Sequence, residues 1–362
     1  MKYYIIFAWR NLWRNRKRTL LATSSIFFAV FLALAMRSMQ FGQYNYMVDS
    51  TVSMFTGYLQ IQGKDFWENR SFDESIEFDD SLDTFLKNIK EITTINPRLE
   101  SGALISFGME TRITPVFGIN PYTEDKMTGL RKKIVKGKYL EDNSNGILIA
   151  EGLAERLKVN VGDSVILFGQ GYRGVTAAEF LPIEGIVKYP IPKMNNAMTF
   201  VALNKAQSFF NAENRITSIS IMLNSASQMD AVQSVISKNI DSNLVVMNWE
   251  EMAPELVQAI EADSAGGVIM LFILYVVIGF GVFGTIMMMT IERTREFGLL
   301  ISLGMTRTRL YLVTAIESFM ISMVGALIGI IISLPVLIYL YYHPIPVTGE
   351  LADIYLVYGM EP

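Results

Sequence analysis

The amino-acid sequence predicts an α-helical membrane protein with three visible spanning helices and a large mixed α/β domain outside the cytoplasm. Hydrophobic residues make up 51% of the chain and charged residues 18%, so the apolar residues must be concentrated in blocks. Three blocks reach the ~20 residues that a spanning helix needs. The long polar segment between the first two blocks alternates strand-like and helix-like patterns, which favours a folded α/β domain.

The apolar blocks predict membrane helices at residues 19–41, 264–290 and 310–342. The third is longer than a bilayer requires, and Pro335 is the expected position of a bend. Residues 1–18 are aromatic on one side and basic, which predicts a helix at the cytoplasmic membrane surface. An ordinary flank of the first membrane helix is the alternative. A signal peptide is disfavoured because no small-residue cleavage site follows the first apolar block.

Positive charge predicts the orientation of the spans. Basic residues without acids precede the first span, and arginines fill the loop at residues 291–309. These arginines are Arg293, Arg295, Arg307 and Arg309. Since lysine and arginine are enriched in cytoplasmic loops, both regions are expected on the cytoplasmic side. Residues 42–263 then form an extracytoplasmic domain, and residues 343–362 emerge on the same outer side.

The extracytoplasmic segment reads as two β-α-β-like stretches that flank a β-rich middle. Its "GALISFG" and "TRITPVFGI" segments predict paired strands, and "SLDTFLKNIKEI" predicts a helix behind a serine cap. We therefore expect one subdomain from residues 50–119 plus 216–262, with a second, residues 120–215, inserted into it. Acidic residues outnumber basic ones in this segment, which argues against a nucleic-acid partner.

Several kinds of chemistry are disfavoured by the residues present. The chain has no cysteine and a single histidine, His343, so no thiolate or histidine metal site is expected, and no catalytic or cofactor-binding residues are predicted. The chain contains no P-loop motif. "GFGVFG" at residues 279–284 matches a dinucleotide-binding pattern, but it lies inside an uncharged spanning segment. Helix packing is the better interpretation of Gly281 and Gly284. The acidic "SFDESIEFDDSLD" is expected to be a solvated surface and lacks the spacing of a calcium loop.

The third span contains two features that need partners. Gly325 and Gly329 form a G-x-x-x-G pattern, which predicts close helix packing either within one subunit or between subunits. Glu317 is an intramembrane carboxylate, and such a group is expensive unless it is paired. We expect it to pair with a loop arginine, and a proton-relay role is the alternative.

The loop "ERTREFGLLISLG" predicts a short amphipathic helix on the cytoplasmic side. Its charged front is Glu292, Arg293, Arg295 and Glu296, and its apolar anchors are Phe297, Leu299, Leu300 and Leu303. Gly304 is the expected C-terminal end of the helix. Such a helix suits docking into a groove on a cytoplasmic partner. A solvated positive loop is the alternative, but it leaves the apolar residues and glycines unexplained.

Three ordered segments carry a resemblance that covers nearly the whole chain. "ERTREFGLLISLGMTRTRL" followed by "AIES" resembles the coupling-helix region of the FtsX/MacB-type ABC transporter permeases. "AWRNLWRNRKRTLL" is similar to the family's N-terminal helix, and "GILIAEGLAERLKVNVGDSVILFG" with "TFVALNKAQSFF" is similar to its extracytoplasmic domain. "GYLQIQGKDFWENRS" resembles the lipoprotein-releasing (Lol-type) permeases more than the macrolide-efflux type.

The resemblance implies a permease that is not itself an enzyme and that works with other subunits. A cytoplasmic ATPase dimer would hold the ATP and magnesium, and a second permease subunit would complete the pair. The residues implied to couple to the ATPase are Glu292, Arg293, Arg295, Glu296, Gly298 and Gly304. The family has four spans, so a fourth helix is expected after residues 343–362, beyond the sequence given. The implied location is the bacterial inner membrane, among membrane lipids.

The implied function is lipoprotein release from that membrane, driven by the partner ATPase. The alternatives are MacB-like efflux of small molecules or peptides, an FtsX-like regulator of cell-wall hydrolases, and a membrane-anchored sensor without an ATPase. In one Lol-type subunit a hairpin hook recruits a periplasmic carrier. The corresponding residues here, 168–180, are few, which argues against carrier recruitment by this subunit. A periplasmic carrier or accessory protein is retained as a candidate partner of the complex.

Overall fold

The computed structural model describes residues 6, 9–10, 12–14, 16–189, 191–343, 348–350 and 352. The chain divides into two units. Residues 1–44 with 258–346 form the membrane unit, and residues 45–257 with 347–362 form the α/β unit. Each unit has its own internal packing.

The described helices follow one another along the chain as α1 Arg16–Thr51, α2 Phe66–Asn69, α3 Asp80–Lys87, α4 Pro121–Thr128, α5 Glu151–Leu157, α6 Pro192–Asn195, α7 Leu203–Phe209, α8 Met229–Asn239, α9 Trp249–Met252, α10 Pro254–Glu292, α11 Thr294–Ser302 and α12 Arg307–Tyr342. A π-helical turn, Val52–Thr56, follows α1 directly. The strands are β1 Leu59–Gly63, β2 Ile76–Glu77, β3 Ile92–Phe107, β4 Glu110–Ile119, β5 Ile134–Gly137, β6 Ile147–Ala150, β7 Ser164–Gln170, β8 Thr176–Val187, β9 Thr199–Ala202, β10 Arg215–Ile216, β11 Ser218–Leu223 and β12 Leu244–Asn248.

Three helices are long and apolar enough to cross a membrane: α1 with its π turn, α10 and α12. They coincide with the three predicted spans but are longer. Helix α1 continues past residue 41 to Thr51, and α10 begins at Pro254 rather than at residue 264. Helix α12 continues on both sides of Pro335.

The membrane unit packs α12 closely against α1. A Cβ atom built on Gly325 would lie 2.9 Å from Ile26 Cβ, and one on Gly329 would lie 2.9 Å from Val30 Cβ. Ser333, one turn further along α12, is also buried. The G-x-x-x-G pattern therefore serves packing within one subunit, as small residues do in membrane helices. The described N-terminal residues 9, 10 and 12–14 are helical; the rest of that predicted helix up to residue 15 lies mostly outside the described residues.

The α/β unit contains one large sheet that has an open part and a closed part. The strand order β12-β1-β11-β3 forms an open part, and the pairings then continue β3-β4-β9-β6-β8-β7 and return from β7 to β3. This second part is a closed ring, and closure leaves its strands without free edges. Strand β5 pairs with β8, and the short β2 and β10 pair with each other. The long strand β3 belongs to both parts.

Two apolar clusters fill the α/β unit. One lies inside the ring and includes Leu99, Ile147 and Leu181. The other, with Ile61 and Ile236, lies under the open part of the sheet. In β7 the burial alternates residue by residue, as it must when one face of a strand lines a core. Since a single sheet joins the clusters through β3, the division into two subdomains with a boundary at 119/120 stays a prediction.

Local predictions in this unit are mostly confirmed. Strands β3 and β4 form the expected hairpin, and its turn includes Gly108 at φ +58°, a conformation that favours glycine. Strands β11 and β12 flank β1 and are connected through α8, as the β-α-β pattern predicts. One correction concerns α3. Its cap is Asp79 rather than a serine, because the Asp79 Oδ1 atom accepts the backbone N–H of Leu82 at 2.9 Å.

Candidate coupling site

The predicted amphipathic helix exists as α11, placed between the membrane helices α10 and α12. Arg293 is its N-cap residue, and the chain leaves the helix through Gly304 at φ +95°. The N–H of Met305 donates to the carbonyl oxygen of Leu300 at 3.0 Å, which satisfies one of the last carbonyls of the helix. A left-handed glycine therefore ends the helix where the sequence predicted.

The inner side of α11 is fixed by a buried ion pair with α12. Arg293 Nη1 lies 2.7 Å from Glu317 Oε2, and Nη2 lies 3.5 Å from Oε1. Both residues are buried, and the guanidinium also lies 5.3 Å from the ring centroid of Phe297. The expected pairing of Glu317 with a loop arginine is confirmed. The two charges compensate each other where neither could be buried alone.

Two further ion pairs join this region to the basic residues 1–18, the N-terminal segment. Arg14 pairs with Glu296, and Arg18 pairs with Glu292. Sequence reasoning missed these pairs, although the signal was present: both segments were expected on the cytoplasmic side, and the otherwise basic loop contains Glu292 and Glu296 as partners for arginines. The little burial of Glu296 acts to raise the pKa of its carboxyl, but hydrogen bonds and charge attraction from Arg14 and Arg293 outweigh it and lower that pKa.

The outer side of α11 carries the exposed residues Arg295, Gly298, Leu299 and Leu303, whereas Phe297 and Leu300 are half-buried. Within the described part of the chain, Arg295 forms no ion pair or hydrogen bond. The expectation of one charged front is therefore wrong: Arg293 is buried, Glu292 and Glu296 bind N-terminal arginines, and only Arg295 projects without a partner. The reason is that other parts of the chain bind these charges. The buried carboxylate on α12 takes the arginine, and the basic N-terminal segment takes the two glutamates.

The glycines of α10 differ from those of α12. No atom lies within 4 Å of a Cβ built on Gly281 or Gly284, so the described part of this chain does not provide the close helix approach predicted there. The helix face that carries these two glycines is exposed within the subunit.

A second buried charge network lies in the α/β unit, where sequence reasoning had no signal for it. Arg98 Nε and Nη2 each lie 2.8 Å from a Glu124 carboxylate oxygen, and Asn96 Nδ2 donates to Glu124 Oε2 at 2.7 Å. The same guanidinium donates to the carbonyl oxygen of Phe55 in the π turn. Burial acts to lower the pKa of Arg98, but Glu124 outweighs it and raises that pKa. The network fastens the π turn to strand β3 and helix α4.

The two units define a class: a membrane protein with at least three spans, an extracytoplasmic α/β domain after the first span and an amphipathic helix between the next two. Comparison with known families agrees. Residues 19–239 match the MacB-like periplasmic core domain, and residues 268–360 match the FtsX-like permease C-terminal domain. The chain belongs to the FtsX/MacB type of ABC transporter permeases.

Individual relatives are distant. The chain is 22% identical to the uncharacterized ABC transporter permease MJ1507 of Methanocaldococcus jannaschii, over 91% of this chain and 82% of the relative. It is 23% identical to the lipoprotein-releasing system transmembrane protein LolC of Neisseria meningitidis serogroup B, over 68% of this chain and 61% of that protein. The crystal structure of the periplasmic region of MacB from Actinobacillus actinomycetemcomitans matches with a TM-score of 0.41 at 16% identity, over 58% of this chain and 94% of that one.

Proposed function

We propose that this chain transmits the movement of a separate cytoplasmic ATPase dimer to its extracytoplasmic domain, and that the transporter releases lipoproteins from the bacterial inner membrane. The observation that carries the proposal is the two-sided arrangement of α11. One side is tied to the membrane unit by ion pairs, and the other side is exposed. ATP and magnesium would bind to the partner, and a second permease subunit would complete the pair.

The ion pairs on the inner side of α11 would allow it to transmit a force to the rest of the membrane unit. Arg293 joins it to Glu317 of α12, and Glu296 joins it to Arg14 of the N-terminal segment. The Arg293–Glu317 pair is buried, so breaking it during movement would expose an uncompensated charge to a low-dielectric environment. A force applied to α11 is therefore expected to move α12 with it rather than to bend the loop.

The exposed side has the composition of a helix that docks into a groove. Leu299 and Leu303 are one turn apart, and Arg295 precedes Leu299 by one further turn. A short helix that presents such a stripe to a cytoplasmic partner buries its apolar residues and directs one charge at the rim. Of the residues predicted to couple to the ATPase, Arg295 and Gly298 lie on this side. Glu292, Arg293 and Glu296 form the ion pairs on the opposite side.

Lipoprotein release is the finer part of the proposal, and the similarity to LolC supports it. The competing functions are efflux of small molecules or peptides and regulation of a cell-wall hydrolase. Because all of them use an ATPase, cargo must be tested separately from coupling. A proteoliposome that holds the complete transporter should release an acylated protein upon ATP addition and should leave the same protein without its acyl chains unaffected. Release of both, or of neither, would contradict the assignment.

Coupling is tested with matched arginine variants in the reconstituted complex. Arg295→Gln combined with Leu303→Ser should reduce ATPase association at least tenfold, because the charged contact and one of the two apolar contacts are removed. Arg307→Gln is the control, since Arg307 is also an exposed arginine of the same cytoplasmic region but lies outside α11. Normal association of the double variant, or an equal loss in the control, would show that α11 is not the docking element.

A further inference from the structure

An apolar groove of about 530 Å³ opens on the membrane unit, between the N-terminal segment, α1 and α12. Trp13 and Arg16 line one end of it, and Phe27, Ile328 and Ile332 line the rest. The α12 residues at the groove extend from Ile321 to Ile332, a rise of roughly 16 Å at ~1.5 Å per residue. The groove is therefore elongated along the helices and apolar over most of its length.

The end near the N-terminal segment has a different character. The rings of Trp9 and Trp13 lie 6.2 Å apart, edge to face. Arg16 Nε donates to the carbonyl oxygen of Trp13 at 3.3 Å, and its guanidinium carbon lies 5.6 Å from the Trp13 ring centroid. Tryptophan rings beside a basic side chain are typical of the headgroup level of a bilayer. The groove thus has one polar, cationic end and one apolar end.

The charges at that end are only partly compensated by the protein. Arg14 and Arg18 form ion pairs with Glu296 and Glu292. Within the described residues, by contrast, no acidic side chain pairs with Arg10, Arg16 or Lys17. Of these three cations, Arg16 lines the groove, and Arg10 and Lys17 are next in the sequence to the lining residues Trp9 and Arg16. A cation at the end of an apolar groove complements an anionic group that is attached to a hydrocarbon chain.

We propose that this groove is a binding site for one anionic phospholipid of the cytoplasmic leaflet. An acyl chain lies along Phe27 and Ile328, and the phosphate lies against Arg16, with Arg10 and Lys17 adding to the attraction. A further transmembrane helix, from this chain or from another subunit, would fill the apolar length but would leave Arg16 without a counter-charge. The site does not depend on the coupling function proposed above, and it would hold the N-terminal segment against α1 and α12.

The test uses the full-length protein in nanodiscs of phosphatidylcholine that contain a few mole per cent of brominated lipid. Bromine quenches tryptophan fluorescence at contact distance. Trp9 and Trp13 belong to the membrane unit, whereas Trp67 and Trp249 belong to the α/β unit and provide a constant background. Brominated phosphatidylglycerol should quench several-fold more than brominated phosphatidylcholine at the same mole fraction, since the groove selects the anionic lipid from the bilayer.

Two variants place the effect at this groove. Arg16→Gln should weaken the preference for phosphatidylglycerol by about fivefold, the effect expected for one basic residue near a membrane surface. Arg309→Gln removes an exposed cation elsewhere on the cytoplasmic side and should leave the preference unchanged. Ser24→Phe fills the groove and should abolish the stronger quenching by brominated phosphatidylglycerol.

The proposal fails if the two brominated lipids quench equally, because the groove then holds only bulk lipid. It also fails if neither lipid quenches, because a protein helix then covers the groove. An equal loss in the Arg309→Gln control would show that general surface charge, rather than this site, attracts the lipid.

Discussion

Arg293 and Glu317 form a buried ion pair between α11 and α12, with Arg293 Nη1 2.7 Å from Glu317 Oε2. The arginine lies in the predicted coupling segment and the glutamate in the third span. The pair therefore explains both the intramembrane carboxylate and the burial of one arginine in a loop that is otherwise exposed. Its energetics can be measured because each partner can be removed alone or together with the other.

Removing one partner of this pair should lower the free energy of unfolding more than removing both partners. Glu317→Leu leaves Arg293 buried without its counter-charge, and a loss of about 3–5 kcal/mol in the free energy of unfolding is expected. Arg293→Met combined with Glu317→Leu should recover much of that loss, since two apolar side chains then face each other. Unfolding in mixed micelles measures both variants. Additive losses in the double variant would contradict the buried-pair interpretation.

The sequence was sufficient for features that depend on local pattern. Helix α11 was predictable because its apolar spacing repeats with the helical period and because Gly304 follows it. The hairpin of β3 and β4 was predictable from two alternating segments separated by a turn. In both cases the interacting residues are close in the chain, so a window of the sequence contains the relevant information.

Long-range pairings were not predictable in this way. The ring closes because β7 pairs with β3, for example Leu104 opposite Phe168, and alternation gives no information about which strand is the neighbour. Arg98 lies in a stretch of β3 that also contains Asn96, Pro97 and Glu100, so nothing in the local pattern indicated that it would be buried against Glu124. The same holds for Arg14 and Glu296, which are distant in the sequence.

The buried pair of Arg98 and Glu124 should be far more important for stability than an exposed pair in the same unit. Arg98→Met leaves the Glu124 carboxylate buried and should lower the free energy of unfolding by about 3–5 kcal/mol. Arg112→Met is the matched control, because Arg112 pairs with Glu110 at 3.0 Å at an exposed position and such pairs contribute about 0–1 kcal/mol. Chemical denaturation of the full-length protein, followed by the fluorescence of Trp249, makes the comparison. Similar losses in both variants would contradict the assignment.

The cap of α3 should respond to acid. A hydrogen bond from the backbone N–H of Leu82, followed by one from the Ser81 hydroxyl, lowers the pKa of the Asp79 carboxyl. The pKa is lower in the folded state than in the unfolded chain, so the cap contributes stability above the ordinary aspartate pKa, and this contribution is lost as the pH falls through the folded-state value. Hydrogen exchange at the start of α3 should therefore accelerate, relative to the Asp79→Asn variant, as the pH is lowered below about 4.

Asp79→Asn is the appropriate reference because an asparagine side chain caps a helix at any pH. The two proteins should show the same protection at neutral pH and should diverge only in acid. A constant difference across the whole pH range would mean that the ionisation of Asp79 does not control the end of this helix.

The glycines of the second and third spans should behave in opposite ways when they are enlarged. At Gly325 a Cβ atom would already lie 2.9 Å from the carbonyl oxygen of Thr23, so Gly325→Leu must separate α12 from α1, and an overpacking cost of about 1–3 kcal/mol is expected. At Gly284 no atom lies within 4 Å of the added Cβ, so Gly284→Leu should leave the unfolding of the isolated subunit unchanged. Thermal unfolding of both variants in the same detergent tests this difference. If Gly284→Leu impairs the assembled transporter but not the isolated subunit, the exposed face of α10 contacts another subunit. Equal destabilisation of the isolated subunit by both variants would contradict the close packing of α12 against α1.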